Sequence, residues 1–168
     1  MRRSLALTSA ALSLLCAACG GDDEAAAPTE ELQDTRSNVT GTHPVVMMIT
    51  NAQGNHVPDF DKATLELSSE ARSRNELRVS LSPFDCDLTA TMTGKSTFAL
   101  NPGTCHLLIP PHDYQFGCAF DLDITRGTGG RDTADGSVGV TFTAGYRRDC
   151  ADYHAPFTAD VTVTLLGT

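Results

Sequence analysis

The chain has 168 residues, with 12 Lys and Arg against 21 Asp and Glu, six Cys and no Trp, which is enough for one domain and hardly two. Hydrophobic residues make up 40% and charged residues 20%, and with only 14 Gly and 8 Pro the composition excludes collagen-like and wholly disordered chains. A formal charge of −9 opposes capture of phosphate backbones, so no nucleic-acid partner is expected, and no apolar run reaches the roughly 20 residues of a spanning helix.

The first elements in chain order form an export address. Arg2 and Arg3 make a basic tip, Leu5 to Ala18 form a short apolar stretch, and the small pair Ala17 and Ala18 precedes Cys19, the anatomy of a secretory signal peptide over residues 1–18. The run Leu15-Cys16-Ala17-Ala18-Cys19-Gly20-Gly21 resembles the lipobox of bacterial lipoproteins. That resemblance implies diacylglyceryl (palmitate-type) modification of the Cys19 thiol and cleavage before it. The position three before the cysteine, usually Leu, is Cys16 here. Cys16 is not itself the modified residue, because bulky Leu14 and Leu15 precede it where cleavage needs small side chains. The alternative is ordinary cleavage after Ala18, leaving Cys19 as a free thiol. Acyl burial at about 0.8 kcal/mol per methylene would hold a multiply acylated chain to the bilayer for long times. In the family's sorting pattern an Asp after the cysteine retains the protein in the inner membrane; Gly20 here implies the outer membrane where the envelope has two.

Residues 19–43 then read as the modified cysteine and a flexible acidic tether. Asp22, Asp23, Glu24, Glu30, Glu31 and Asp34 face Arg36 alone, and the segment lacks the apolar side chains a core requires. The Asn38-Val39-Thr40 triplet matches a glycosylation acceptor pattern by coincidence, given the bacterial address. Without residues 1–18 the net charge is −11, and without the tether it is −6, so the surface is acidic throughout.

From Pro44 onward the pattern has period two, as expected when one sheet face is buried and the other solvated. Val45–Thr50, Thr64–Ser68, Glu76–Ser82, Phe84–Thr93, Ser96–Leu100 and Cys105–Ile109 are candidate strands. The clearest follow: Phe116, Cys118, Phe120, Leu122 and Ile124 on one parity; then Val138, Val140, Phe142, Ala144 and Tyr146; then Phe157, Ala159, Val161, Val163 and Leu165. Turn residues at Gln53-Gly54-Asn55, Gly94-Lys95, Asn101-Pro102-Gly103 and Pro110-Pro111 separate them, with a longer loop expected from Gly127 to Gly136. Ser69 to Leu77 fits either a capped helix or a strand–turn–strand. The sum is an all-β domain over residues 44–168, an antiparallel β-sandwich or barrel of about eight to nine strands.

Four cysteines besides the anchor, Cys86, Cys105, Cys118 and Cys150, form an even set in an oxidising compartment, where two disulfides are expected. Four cysteines allow three pairings. Cys86–Cys105 and Cys118–Cys150 are favoured, because the first pair encloses two short strands and their turns, a layout that returns Cys105 beside Cys86. The cysteine-framed pattern from Phe84 to Thr168 looks like that of uncharacterised β-rich bacterial lipoproteins, a resemblance that implies no activity.

Candidate chemistry is sparse. His106, His112 and Asp113, with His154, bear metal-ligating groups, but the spacing matches no established site and Pro110-Pro111 breaks any helix that would align them. Asp85, Asp87, Asp121 and Asp123 flank inward-facing residues, where alternation places them in water. The segment Arg126-Gly127-Thr128-Gly129-Gly130-Arg131 lacks the strand-to-helix context of a phosphate loop, and no Gly-x-Ser-x-Gly elbow occurs. No catalytic residue and no cofactor is assigned. The expected function is that of a lipid-anchored cell-envelope protein, joined to the membrane through Cys19, acting as a structural or binding module for a protein or glycan. The alternatives are a small-ligand-binding β-barrel carrier, although the chain lacks the Trp of the lipocalin motif, and a metal-dependent hydrolase.

Overall fold

The computed structural model describes residues 34–55, 57, 62–111, 116–133, 136–152 and 155–167. Among these described residues, nine strands follow a 3-10 turn at Arg36–Asn38: β1 Gly41–Asn51, β2 Ala63–Ser69, β3 Glu76–Ser82, β4 Asp85–Met92, β5 Thr97–Leu100, β6 Gly103–Ile109, β7 Cys118–Arg131, β8 Val138–Cys150 and β9 Phe157–Gly167. Every pairing is antiparallel and joins successive positions, and β9 returns to β1, so the sheet closes into a barrel. β5 and β6 lie end to end between β4 and β7: Ala90–Met92 pair with β5, whereas Asp85–Asp87 pair with β6. The barrel therefore has eight positions around its wall, one of them filled by two strands. Asn101-Pro102 makes the break, because proline cannot donate to the ladder, and the Asn101 amide side chain bonds Thr89 Oγ1 across the gap at 2.9 Å.

Alternation supplies the core. Inward positions of every strand, among them Met47, Leu65, Val79, Ala90, Phe98, Leu122, Phe142, Tyr146 and Val163, are buried, while their sequence neighbours face out. Eight strands enclose a lumen that side chains just fill, and here large apolar groups from all around the wall occupy it.

One open choice is resolved and two expectations change. Of the two readings of Ser69–Leu77, the strand–turn–strand is the one observed: β2 ends at Ser69, residues 70–75 turn, and β3 begins at Glu76. The Ser73 hydroxyl holds that turn by accepting the Asn75 and Glu76 amide protons. The loop expected from Gly127 to Gly136 is largely strand, since β7 runs to Arg131 after an irregularity between Ile124 and Arg126. Glycine is needed there for close approach. A Cβ on Gly129 would lie 2.4 Å from the Phe98 ring, and one on Gly127 2.6 Å from Phe142 Cβ. Phe116, expected to open the strand on its buried face, lies before β7 and is 62% exposed.

The boundary at residue 44 also moves. Gly41–His43, expected in the tether, pair with β2, and the preceding turn closes the barrel's base. Val39 is fully buried. Asn38 Nδ2 donates to the Lys95 carbonyl at 2.7 Å and Thr35 Oγ1 to that of Gly94 at 3.2 Å, while the Arg131 guanidinium donates to the Asn38 and Gly136 carbonyls. Arg36 is only 8% exposed. Its fork donates to both oxygens of Asp34 at 2.9 and 2.7 Å, and Nη1 donates to the carbonyls of Glu70 and Glu76. A buried charge is tolerated when it is paired and hydrogen-bonded in this way.

The same contact makes the fold acid-sensitive. Hydrogen bonds from the Arg36 side chain, then from its backbone N–H, hold the Asp34 carboxyl near pKa 2, below its usual 3.8. A depressed carboxyl adds stability above its unfolded pKa and loses it as pH falls through the folded one. Unfolding of the parent and of Asp34→Asn, followed from pH 7 to pH 2, should therefore show a difference that is constant above about pH 4 and shrinks between pH 4 and pH 2. A difference independent of pH would show that the ion pair plays no such part.

Candidate functional site

The richest chemistry lies outside the barrel, on the wall made by β4, β6, β7, β8 and β9. Register aligns outward side chains in two rows. One runs Asp85, His106, Asp121, Arg147, Thr158; the next runs Asp87, Thr104, Asp123, Gly145, Asp160. In the first row Asp121 is engaged from both sides, with His106 Nδ1 2.6 Å from one oxygen and Arg147 3.6 Å from the other. Arg147 also reaches Asp149 at 2.6 Å. Exposed pairs of this kind contribute about 0–1 kcal/mol each, so they orient side chains more than they stabilise the fold.

In the second row the fourth position, between Asp123 and Asp160, is glycine. The floor left by Gly145 opens into concavities of about 540 and 490 Å³ that both include Gly145 and Asp160; the first extends to Asp123, Arg147 and Thr158, the second to Thr125, Arg126, Thr143 and Thr162. Thr125 and Thr143 hydroxyls are 3.0 Å apart. Asp123 and Asp160 make no side-chain hydrogen bond or ion pair with any described residue, in contrast to Asp121 in the neighbouring row.

Of the metal-ligand candidates, His106 is exposed on the outer wall beside Asp121 and opposite Asp85. Its cross-strand neighbours are the carboxylates of Asp85 and Asp121. His112, Asp113 and His154 lie outside the described residues, as does Cys19. Among the described residues, no three His, Cys, Asp or Glu side chains are grouped to hold a metal ion.

The cysteines are joined as Cys86–Cys105 and Cys118–Cys150, the pairing favoured from the sequence. Each couple stands directly opposite in register, on β4 and β6 and on β7 and β8, with Cα atoms 4.0 and 4.1 Å apart. Close to the second bond, Tyr146 packs between Phe120 and Phe157 at centroid distances of 6.5 and 6.1 Å, and Arg148 lies 5.7 Å over the Phe157 ring.

Two features escaped the sequence. Arg36 and Asp34 looked like tether because a lone pair of charges carries no periodicity. Gly145 interrupts the outward residues of an otherwise regular strand, a signal present in the sequence but meaningful only once its cross-strand neighbours are known.

The described residues thus form a closed antiparallel β-barrel braced by two cross-strand disulfides, with a polar groove on its outer wall. No protein-family model, curated protein or solved structure matches the chain.

Proposed function

We propose that this chain is a lipid-anchored protein of the bacterial cell envelope whose barrel serves as a structural or binding module, held to the membrane through Cys19. The observation that carries the reading is the pair of disulfides, bonds that persist outside the reducing cytosol, where the lipobox-like Leu15–Gly21 segment would direct the chain. The sorting pattern at Gly20 favours the outer membrane of a two-membrane envelope. Filling of the lumen by Phe98, Phe142, Tyr146 and their neighbours favours contact through the outside of the barrel over carriage of a small ligand within it. No observation favours the hydrolase.

The test is metabolic labelling with a fatty-acid probe. The parent should take up the label and Cys19→Ser should lose it completely. Equal labelling of the two would remove the anchor from Cys19, and an unlabelled parent with a free Cys19 thiol would favour ordinary cleavage after Ala18.

A further inference from the structure

We infer that residues 34–40 are a mechanical clasp that spreads a pull from the N-terminal side of the chain over the whole base of the barrel and so spares β1. The inference rests on the anchoring proposed above, which supplies the pull. It starts from Arg36, a long cationic side chain that is only 8% exposed. Burying a guanidinium costs desolvation that a methionine or leucine sealing the same place would avoid. What the guanidinium adds is attachment to several groups at once. Its rigid fork of N–H donors bonds both oxygens of Asp34 and the carbonyls of Glu70 and Glu76, the latter at 2.7 and 3.2 Å. Those two carbonyls flank the β2–β3 turn.

The rest of the segment reaches the other turns of the base. Thr35 Oγ1 and Asn38 Nδ2 donate to the Gly94 and Lys95 carbonyls in the β4–β5 turn. Arg131, at the end of β7, donates to the carbonyls of Asn38 and of Gly136 in the β7–β8 turn. The turns are themselves joined, Met92 N–H to the Asn75 carbonyl at 2.8 Å and Arg131 N–H to that of Ser96 at 2.9 Å. The strand that follows is less well placed to take load. Among the described residues, Gly41–His43 pair with β2 alone, and pairing with β9 starts at Val45. A pull entering at Gly41 would load those ladder bonds one after another from the strand's end, and bonds loaded in turn yield in turn. A pull entering at Asp34 first meets Thr35, Arg36 and Asn38, whose bonds to separate turns share it. The charge-assisted bonds of Arg36 are the strongest of the set, which makes that residue the pin of the clasp.

The experiment is single-molecule pulling on the chain from Cys19 onward, unacylated and with its disulfides formed. The Cys19 thiol is one handle, and Asp152→p-azidophenylalanine, at an exposed position after β8 at the other end of the barrel, provides the second. The parent should unfold without an early short extension. Arg36→Met should release residues 34–44 first, a gain of about 40 Å, at about half the force of the parent's first event or less. Asn38→Ala, which removes one bond at an exposed site, should lower the force by a smaller amount. A short early step in the parent at the force seen for Arg36→Met would overturn the inference, as would an Arg36→Met chain that unfolds as the parent does. Amide exchange without load separates a lost clasp from a weakened fold. In Arg36→Met the Val39 and Thr40 amides, which bond the Arg36 carbonyl, should exchange faster while those of Leu122 and Val163 keep parental rates. Equal acceleration throughout would make Arg36 a general stabiliser and end the clasp. No acyl group enters these measurements, so a failed clasp leaves the labelling test of Cys19 intact, and a failed label would remove the source of load without altering the pulling result.

Discussion

Reduction of both disulfides is expected to cost about 7 kcal/mol, much of the 5–15 kcal/mol available to a domain of this kind. The two bonds close loops with sequence separations of 19 and 32, which on the chain-entropy model correspond to about 3.2 and about 3.7 kcal/mol. Their places in the barrel make the expectation specific. Cys86–Cys105 crosses the wall position whose second strand is split into β5 and β6, so the bond secures the stretch of wall with the most interrupted ladder. Cys118–Cys150 ties the first residue of β7 to the last of β8, where the longest paired segment in the barrel would otherwise fray. Thermal unfolding of Cys86→Ala/Cys105→Ala and of Cys118→Ala/Cys150→Ala should each show a Tm lower by about 10–15 °C. Unfolding at the parental temperature in the presence of reductant would show that the bonds are passengers.

The second large effect lies in the core, where Phe98 and Gly129 fit one another. Phe98 on β5 is opposite Gly129 on β7 and is 1% exposed. Phe98→Ala should cost about 3–5 kcal/mol through lost transfer energy and the cavity left behind. Gly129→Ala should cost about 1–3 kcal/mol by overpacking, because its new methyl would lie 2.4 Å from the end of the Phe98 ring. The double variant should cost less than the two separate losses added together, by about 1 kcal/mol or more, since the methyl then enters space that the ring has vacated. A double-mutant cycle in urea measures this coupling directly. Additivity within about 0.5 kcal/mol would mean that the glycine answers to something other than the ring.

These two predictions differ in how far they were legible beforehand. Alternation in Val138–Tyr146 and Phe157–Leu165 marks strands with a buried face, and the parity of Cys86, Cys105 and Cys118 places three of the four bridging sulfurs on that face. Such patterns survive in a linear chain because a strand's period is local. The Gly127–Gly130 segment reads as a loop because glycine is a poor strand former, and its reason for being in a strand is a phenylalanine about thirty residues earlier. Arg36 reads as tether for a similar reason. Its partners besides Asp34 are carbonyls at Glu70 and Glu76, and backbone acceptors leave no mark on composition. The outer wall shows the same limit: Asp121 and Asp123 are equivalent in the sequence, yet one is paired on both sides and the other faces an open glycine.

What the amino-acid sequence determined by itself was therefore the local and the binary: an all-β domain, the parity of its buried side chains, an acidic surface and an even set of cysteines. Each follows from a two-residue repeat or from counting. Tertiary structure alone decided that the sheet closes as a barrel rather than folding as a sandwich, that residues 34–43 seal its base, and that a groove opens over Gly145. Those features depend on which strands become neighbours and in what register, and contacts between residues far apart in the chain set both.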